Sequence, residues 1–148
     1  MTDNTKPARG TIKNGIFFYP VRVYYEDTDA GGIVYYANYL KFSERARTEF
    51  LRNLDINQQQ HLQESHCGFV VRSCNIDYMA SAVLDDELTI SCQISELGAA
   101  YAVVHQEIRR DEELLSSLDV KVIYMNIETH RPTRIPEDFV ARFKQLGV

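Results

Sequence analysis

The spacing of apolar residues is helical over one long stretch and alternates by two over most of the rest, and that contrast limits the fold more than any other feature. Over residues 36–54 the period is helical. At ~100° per residue, Tyr36, Tyr39, Leu40, Phe42, Ser43, Ala46, Phe50, Leu51 and Leu54 fall on one broad face, with Lys41, Arg45, Thr48, Glu49 and Arg52 opposite. An apolar arc of that width suits a helix around which a sheet curls. From Phe69 onward the period is two. Leu88, Ile90, Cys92 and Ile94 alternate with Glu87, Thr89, Ser91 and Gln93, and further strands are predicted over 69–79, 101–110 and 118–127. The run at 69–79 is untidy, because Val70, Cys74, Ile76 and Tyr78 share a face with Arg72.

One more strand, over 16–25, precedes the helix, and Pro20 within it implies an edge position or a bulge. Residues 55–65 are polar and Gln-rich, which predicts a short helix or a loop; Pro132 and Pro136 then end the sheet before a short C-terminal helix. The connections among the last four strands are short, with Gly98 at one turn and Asp111-Glu112-Glu113 at another. Short links favour antiparallel pairing, so the expected class is α+β: an antiparallel sheet of five to six strands wrapped around one long helix. Such a sheet leaves free edges, which a second copy of the chain is expected to cover.

Length and charge narrow the function classes. The 148 residues are read as a polar flexible leader over 1–15 and a single domain over 16–148. No apolar run approaches the ~18 residues of a membrane span, and the leader lacks a secretory core, which predicts a cytoplasmic protein. A net charge of −5 argues against nucleic acid or an anionic membrane as partner. The three cysteines, Cys67, Cys74 and Cys92, are an odd number and are read as free thiols. The four histidines are dispersed, so no metal is expected. No Gly-x-Ser-x-Gly elbow and no phosphate loop occurs, and no cofactor is implied.

What remains is carboxylate chemistry beside a helix start. Residues 24–39 place Glu26, Asp27 and Asp29, the pair Gly31-Gly32 and five tyrosines between strand and helix. The first N–H groups of a helix lack internal partners and can polarise a carbonyl that a carboxylate attacks, or toward which it activates water. Asp29, nearest the glycines, is the candidate; on spacing alone it serves equally well as a helix cap or an Asx-turn. Glu44 and Arg47, three residues apart, are read as a structural ion pair.

The run Val23-Tyr24-Tyr25-Glu26-Asp27-Thr28-Asp29-Ala30-Gly31-Gly32-Ile33-Val34-Tyr35-Tyr36-Ala37-Asn38-Tyr39, followed by Glu44-Arg45-Ala46-Arg47, closely resembles the hotdog-fold acyl-CoA thioesterases of the 4-hydroxybenzoyl-CoA type. Within them it looks most like the YbgC branch associated with the Tol-Pal system. The resemblance also takes in Val70-Val71-Arg72 and Leu84-Asp85-Asp86. It implies a hotdog fold, a dimer or dimer of dimers, and an acyl-CoA substrate, with an acyl carrier protein as a further partner. It carries the catalytic aspartate onto Asp29, the backbone oxyanion donor onto Tyr36, and substrate-binding positions onto Tyr25, Gly32, Ile33 and Val34. The branch commonly has His where this chain has Tyr36, so only the main-chain role carries over.

Some relatives hold the coenzyme phosphates with basic residues near a strand turn, whereas Glu96-Leu97-Gly98-Ala99-Ala100 has none here. Arg72, Arg109, Arg110, Lys121, Arg131 and Arg134 are the alternatives. The function implied is hydrolysis of acyl-CoA thioesters. Three rival readings stand beside it: catalysis by Glu44 on the helix, an acyl-chain dehydratase, which would need a His at the site, and a non-catalytic acyl-CoA or acyl-carrier-protein binding module of the same fold.

Overall fold

The computed structural model describes residues 9–148, so the first eight residues of the predicted leader lie outside the described residues. Strand β1 (Thr11–Lys13) turns at Gly15 into β2 (Ile16–Arg22). The end of the stretch read as leader is therefore a hairpin arm instead. Helices α1 (Asn38–Asn53) and α2 (Gln58–Ser65) follow, then β3 (Cys67–Tyr78), β4 (Glu87–Leu97), β5 (Tyr101–Arg110), β6 (Glu113–Asn126), β7 (Arg131–Pro132) and α3 (Glu137–Lys144). The sheet has seven strands, not five to six, in the order β1-β2-β4-β5-β6-β3, with β7 also on β6. The two short strands carry too few residues to show a period. All pairings are antiparallel. Pro20 lies past the end of β1, on an edge where its missing N–H costs nothing.

The concave face meets α1. Leu88, Ile90 and Cys92 of β4, Ile108 of β5, and Leu118 and Val120 of β6 are buried against Phe42, Ala46 and Phe50 of the helix. Phe50 stacks on Phe17 with ring centres 5.7 Å apart. Leu40 in the first turn of the helix and Tyr36, which lies just before it, both assigned above to the apolar face, are exposed.

One polar group sits inside this contact. Gln106 occupies an inward position of β5 and is fully buried; its Nε2 donates to the Ser43 carbonyl of α1 at 3.0 Å and lies 3.2 Å from Cys92 Sγ. Its Oε1 accepts from Arg47 Nη1 at 2.8 Å. Arg47 reaches Glu44 only at 3.9 Å, so the predicted ion pair is secondary to the bond with Gln106. Burial lowers the pKa of Arg47 and pushes the Cys92 thiol up to about 12.

Strand β3 explains its own untidy pattern. Val71 pairs with Val122 and Ser73 with Lys121, so Arg72 is an extra, bulged residue. Before the bulge Phe69 and Val71 stand opposite the inward residues Tyr124 and Val122; after it Cys74, Ile76 and Tyr78 take that side. The sequence reading, which grouped Val70 with Cys74, ran one strict period through this insertion. The other edge of β3 carries no partner strand among the described residues.

The loop 79–86 closes the sheet end beneath the start of α1. Ala82 N–H donates to Tyr39 Oη at 2.9 Å, and Val34 N–H to the Ala82 carbonyl at 2.9 Å. Asp86 pins this loop, its Oδ2 accepting from Val83 N–H at 2.9 Å and from Arg110 Nη1 at 2.7 Å. Burial alone would raise the Asp86 pKa, but those two donors hold it below its ordinary value.

Two measurements probe these anchors. Gln106→Leu leaves Arg47 and a helix carbonyl without their partner and should cost about 2–3 kcal/mol in urea unfolding. For Asp86, a depressed carboxylate contributes stability that is present above its unfolded pKa and lost as pH falls through the folded one. Unfolding free energy should therefore drop below pH ~4, and the drop should be shallower in Asp86→Asn.

Candidate active site

Residues 24–37 fold into a compact ladder between β2 and α1. Tyr25–Asp27 form one 3-10 turn, closed by Thr28 N–H on the Tyr25 carbonyl at 3.1 Å. Asp27 Oδ2 accepts from Tyr24 N–H at 2.8 Å, and its carbonyl accepts from both Tyr35 N–H and Asn38 Nδ2 at 2.9 Å. Asp27 is thus structural. A bridge between Thr28 and Val34 narrows the chain into a hairpin whose loop holds Asp29 and the glycines. Gly32, at φ +80°, makes the return.

Asp29 closes an Asx-turn, its Oδ1 accepting from Gly31 N–H at 2.8 Å. It does not cap α1, so one of the two structural alternatives holds and the other does not. Its second oxygen has no protein donor among the described residues, and the side chain is exposed in this single chain. Glu26 is exposed as well.

Helix α1 begins without a side-chain cap, and Ala37 before it is already helical at φ −68°, ψ −21°. Its first bonds are short-range: Asn38 N–H to the Tyr35 carbonyl at 2.8 Å, Tyr39 N–H to the Tyr36 carbonyl at 3.4 Å. Among the described residues the amides of Tyr36 and Ala37 donate to no carbonyl. Two N–H groups at the positive end of the helix are left available to an anionic oxygen.

Aromatic rings surround these amides. Tyr36 meets Tyr35 and Tyr78 edge-on, with centres 5.1 and 6.0 Å apart, and Tyr78 also meets Tyr39 at 5.5 Å. Tyr78 Oη donates to the Tyr36 carbonyl at 3.2 Å. Sequence reasoning did not single out Tyr78; its inward position at the end of β3 becomes visible only once the bulge is known. Tyr25, named as a binding residue, is 82% exposed, and Ile33 is 39% exposed. Val34, named with them, is buried at 2% and packs in the core.

The candidate cations separate by partner. Arg110 is held by Asp86 and Glu113, and Arg109 by Glu107 at 3.1 Å. Lys121 sits over the Tyr101 ring at 4.5 Å. Arg134 lines a surface cleft with Lys144, Glu137, Gly98 and Ala99, beside the turn that carries no cation of its own. Gly98 is required there, since a Cβ would collide with the Tyr101 ring. Among the described residues no group of three or more His, Cys, Asp or Glu side chains gathers to hold a metal. Nor, among them, is any helix long and apolar enough to cross a membrane.

Comparison with known proteins gives a consistent picture. Residues 23–143 match the family model of the Thioesterase-like superfamily. The chain is 45% identical to an acyl-CoA thioesterase YbgC of Haemophilus influenzae, over 91% of this chain and 98% of that protein. It is 42% identical to an acyl-CoA thioester hydrolase YbgC of Escherichia coli, over 88% and 97%. Among solved structures, a probable thioesterase from Bartonella henselae superposes with a TM-score of 0.78 at 36% identity, covering 82% of this chain and 99% of that one. The family model spans most of the chain and the relatives extend over nearly their whole length, so the chain belongs to the thioesterase-like superfamily, of hotdog fold, and is similar over most of its length to YbgC members of it.

Proposed function

We propose that this chain is an acyl-CoA thioesterase, releasing a free acid and coenzyme A through Asp29 and the amide at Tyr36. The observation that carries the reading is the uncapped start of α1, with unpaired N–H groups behind a hairpin that presents a carboxylate with one free oxygen. The named activity of relatives 40% to 45% identical supports it.

The chemistry follows from the charges. A thioester carbonyl held at the Tyr36 amide is polarised, and attack by Asp29 Oδ2, or by water from which Asp29 removes a proton, puts negative charge on the carbonyl oxygen. That charge is stabilised by the N–H donors, and collapse expels the coenzyme thiolate. After direct attack, water hydrolyses the mixed anhydride and frees Asp29. Glu44 is a poorer candidate, because it stands on the outer flank of α1 near Arg47 and far along the helix from its free amides.

Asp29 and Tyr25 are exposed in one chain, so the reading includes a homodimer that covers them. The outer edge of the twelve-residue strand β3, which has no partner strand among the described residues, is the surface for it. Antiparallel pairing of β3 with its copy would bring the Tyr78 end of one protomer to the Cys67 end of the other. That end also carries the Gly98 turn and the Arg134–Lys144 cleft, since Ala99 and Ala100 accept from Ile135 and Tyr124 N–H. The phosphates of coenzyme A bound in one protomer's site fit the cations of its partner. Pairing of dimers into a tetramer, a cytoplasmic location, delivery of substrate by acyl carrier protein and a Tol-Pal connection belong to the same reading, on resemblance alone.

Two experiments test it. Thiol release from short, long and aromatic acyl-CoA should be measurable, and Asp29→Asn should stay folded and lose roughly 10²-fold or more in turnover. Release of no thiol from any of these substrates would leave a binding module as the better reading. Replacing Arg134 and Lys144 together by Ala should raise KM several-fold with kcat unchanged, and the effect should shrink at high salt.

A further inference from the structure

The donor site has a second member and a support outside the motif that defines the family. A peptide unit is planar, so a carbonyl held at one end fixes the direction of the N–H at the other. Two successive peptide planes lead into α1. The first ends in the Tyr36 N–H, and its carbonyl, on Tyr35, accepts from Asn38 N–H at 2.8 Å. The second ends in the Ala37 N–H, and its carbonyl, on Tyr36, has only a long 3.4 Å bond from Tyr39 N–H inside the helix. What completes it is the Tyr78 hydroxyl at 3.2 Å, reaching across from the end of β3.

Tyr78 is well placed to act as a fixed post. Its ring is wedged edge-on between Tyr36 and Tyr39. Tyr39 is itself buried and tied through its hydroxyl to Ala82. The side chain is 43% exposed, and its phenol, whose pKa partial burial raises further, is a donor through the neutral range. The bulge at Arg72 is what turns this side chain to the concave side.

We infer that Tyr78 is a positioning residue that holds the 36–37 peptide plane, making the Ala37 amide a second oxyanion donor beside that of Tyr36. The inference rests on the proposed thioesterase reading and adds to it a donor and the residue that aims it. Tyr78 does not touch the substrate carbonyl; it sets the angle of a group that does.

The test compares two hydroxyl deletions. In Tyr78→Phe, kcat should fall about tenfold while KM stays within about twofold, the pattern of an interaction made only in the transition state. Tyr124→Phe serves as control: its hydroxyl is hydrogen-bonded to His61 of α2 at 2.6 Å, in a cluster packed by Phe69 and Phe139. It should lose stability without a matching loss in kcat. In parallel, the ¹H–¹⁵N resonance of the Ala37 amide should shift in Tyr78→Phe and not in Tyr124→Phe. A Tyr78→Phe enzyme with kcat within twofold of the unaltered protein overturns the inference while the thioesterase reading stands. If the unaltered protein releases no thiol, that reading falls first, and an unmoved Ala37 resonance would remove the peptide clamp as well.

Discussion

The arrangement of this molecule depends on how one desolvated amide side chain is satisfied. Gln106 projects from the middle strand of the sheet into the helix contact, where water cannot reach it, and every polar atom it carries must find a protein partner. It finds Ser43 and Arg47, both on α1. Apolar packing alone would tolerate small rotations and slides of the helix within its cradle, because burial has no direction. A hydrogen bond to a mid-helix carbonyl does not. The rotation of α1 is therefore fixed in its middle, and its uncapped start is carried to a defined place over the loop 79–86.

That placement lets a short, exposed hairpin act as one part of a rigid assembly. The hairpin touches the core through Val34, while Asp27 ties it to Tyr35 and Asn38 and the bridge between Ile33 and Val83 ties it to the loop below. Its carboxylates then divide their roles: Asp27 is consumed in holding the chain, Asp29 keeps one oxygen free. Rigid elements beneath a functional loop are what allow a loop to hold a reactive group at a fixed angle.

Much of this was legible in the chain itself, and what was not has identifiable causes. The helix and the four later strands follow from period, and β4 shows it most cleanly because one face is wet. The motif around Asp29 marked the hairpin, yet spacing gave no hint that Asp27, rather than Asp29, would hold the loop. Gln106 carried a readable sign, a lone amide among Ala102, Val104 and Ile108 on the inward side of β5. Its partners could not be read, since they lie far away in sequence. Tyr78 was hidden for a different reason: an inserted residue shifts the face of every position after it, and periodicity cannot locate an insertion it assumes absent. β1 and β7 are too short to have any period.

The extra residue in β3 also governs which changes in length this family member can accept. Most insertions and deletions in a surface strand are absorbed at its ends. Here, deletion of Arg72 would restore strict alternation and leave Val71 and Tyr78 both on the concave side, because an even number of steps then separates them. One further residue in this stretch, with no second bulge to absorb it, would instead send the Tyr78 ring to the convex side, far from the head of the helix. In this strand the parity of the count from Val71 to Tyr78, more than the identity of the residues between them, is the inherited specification.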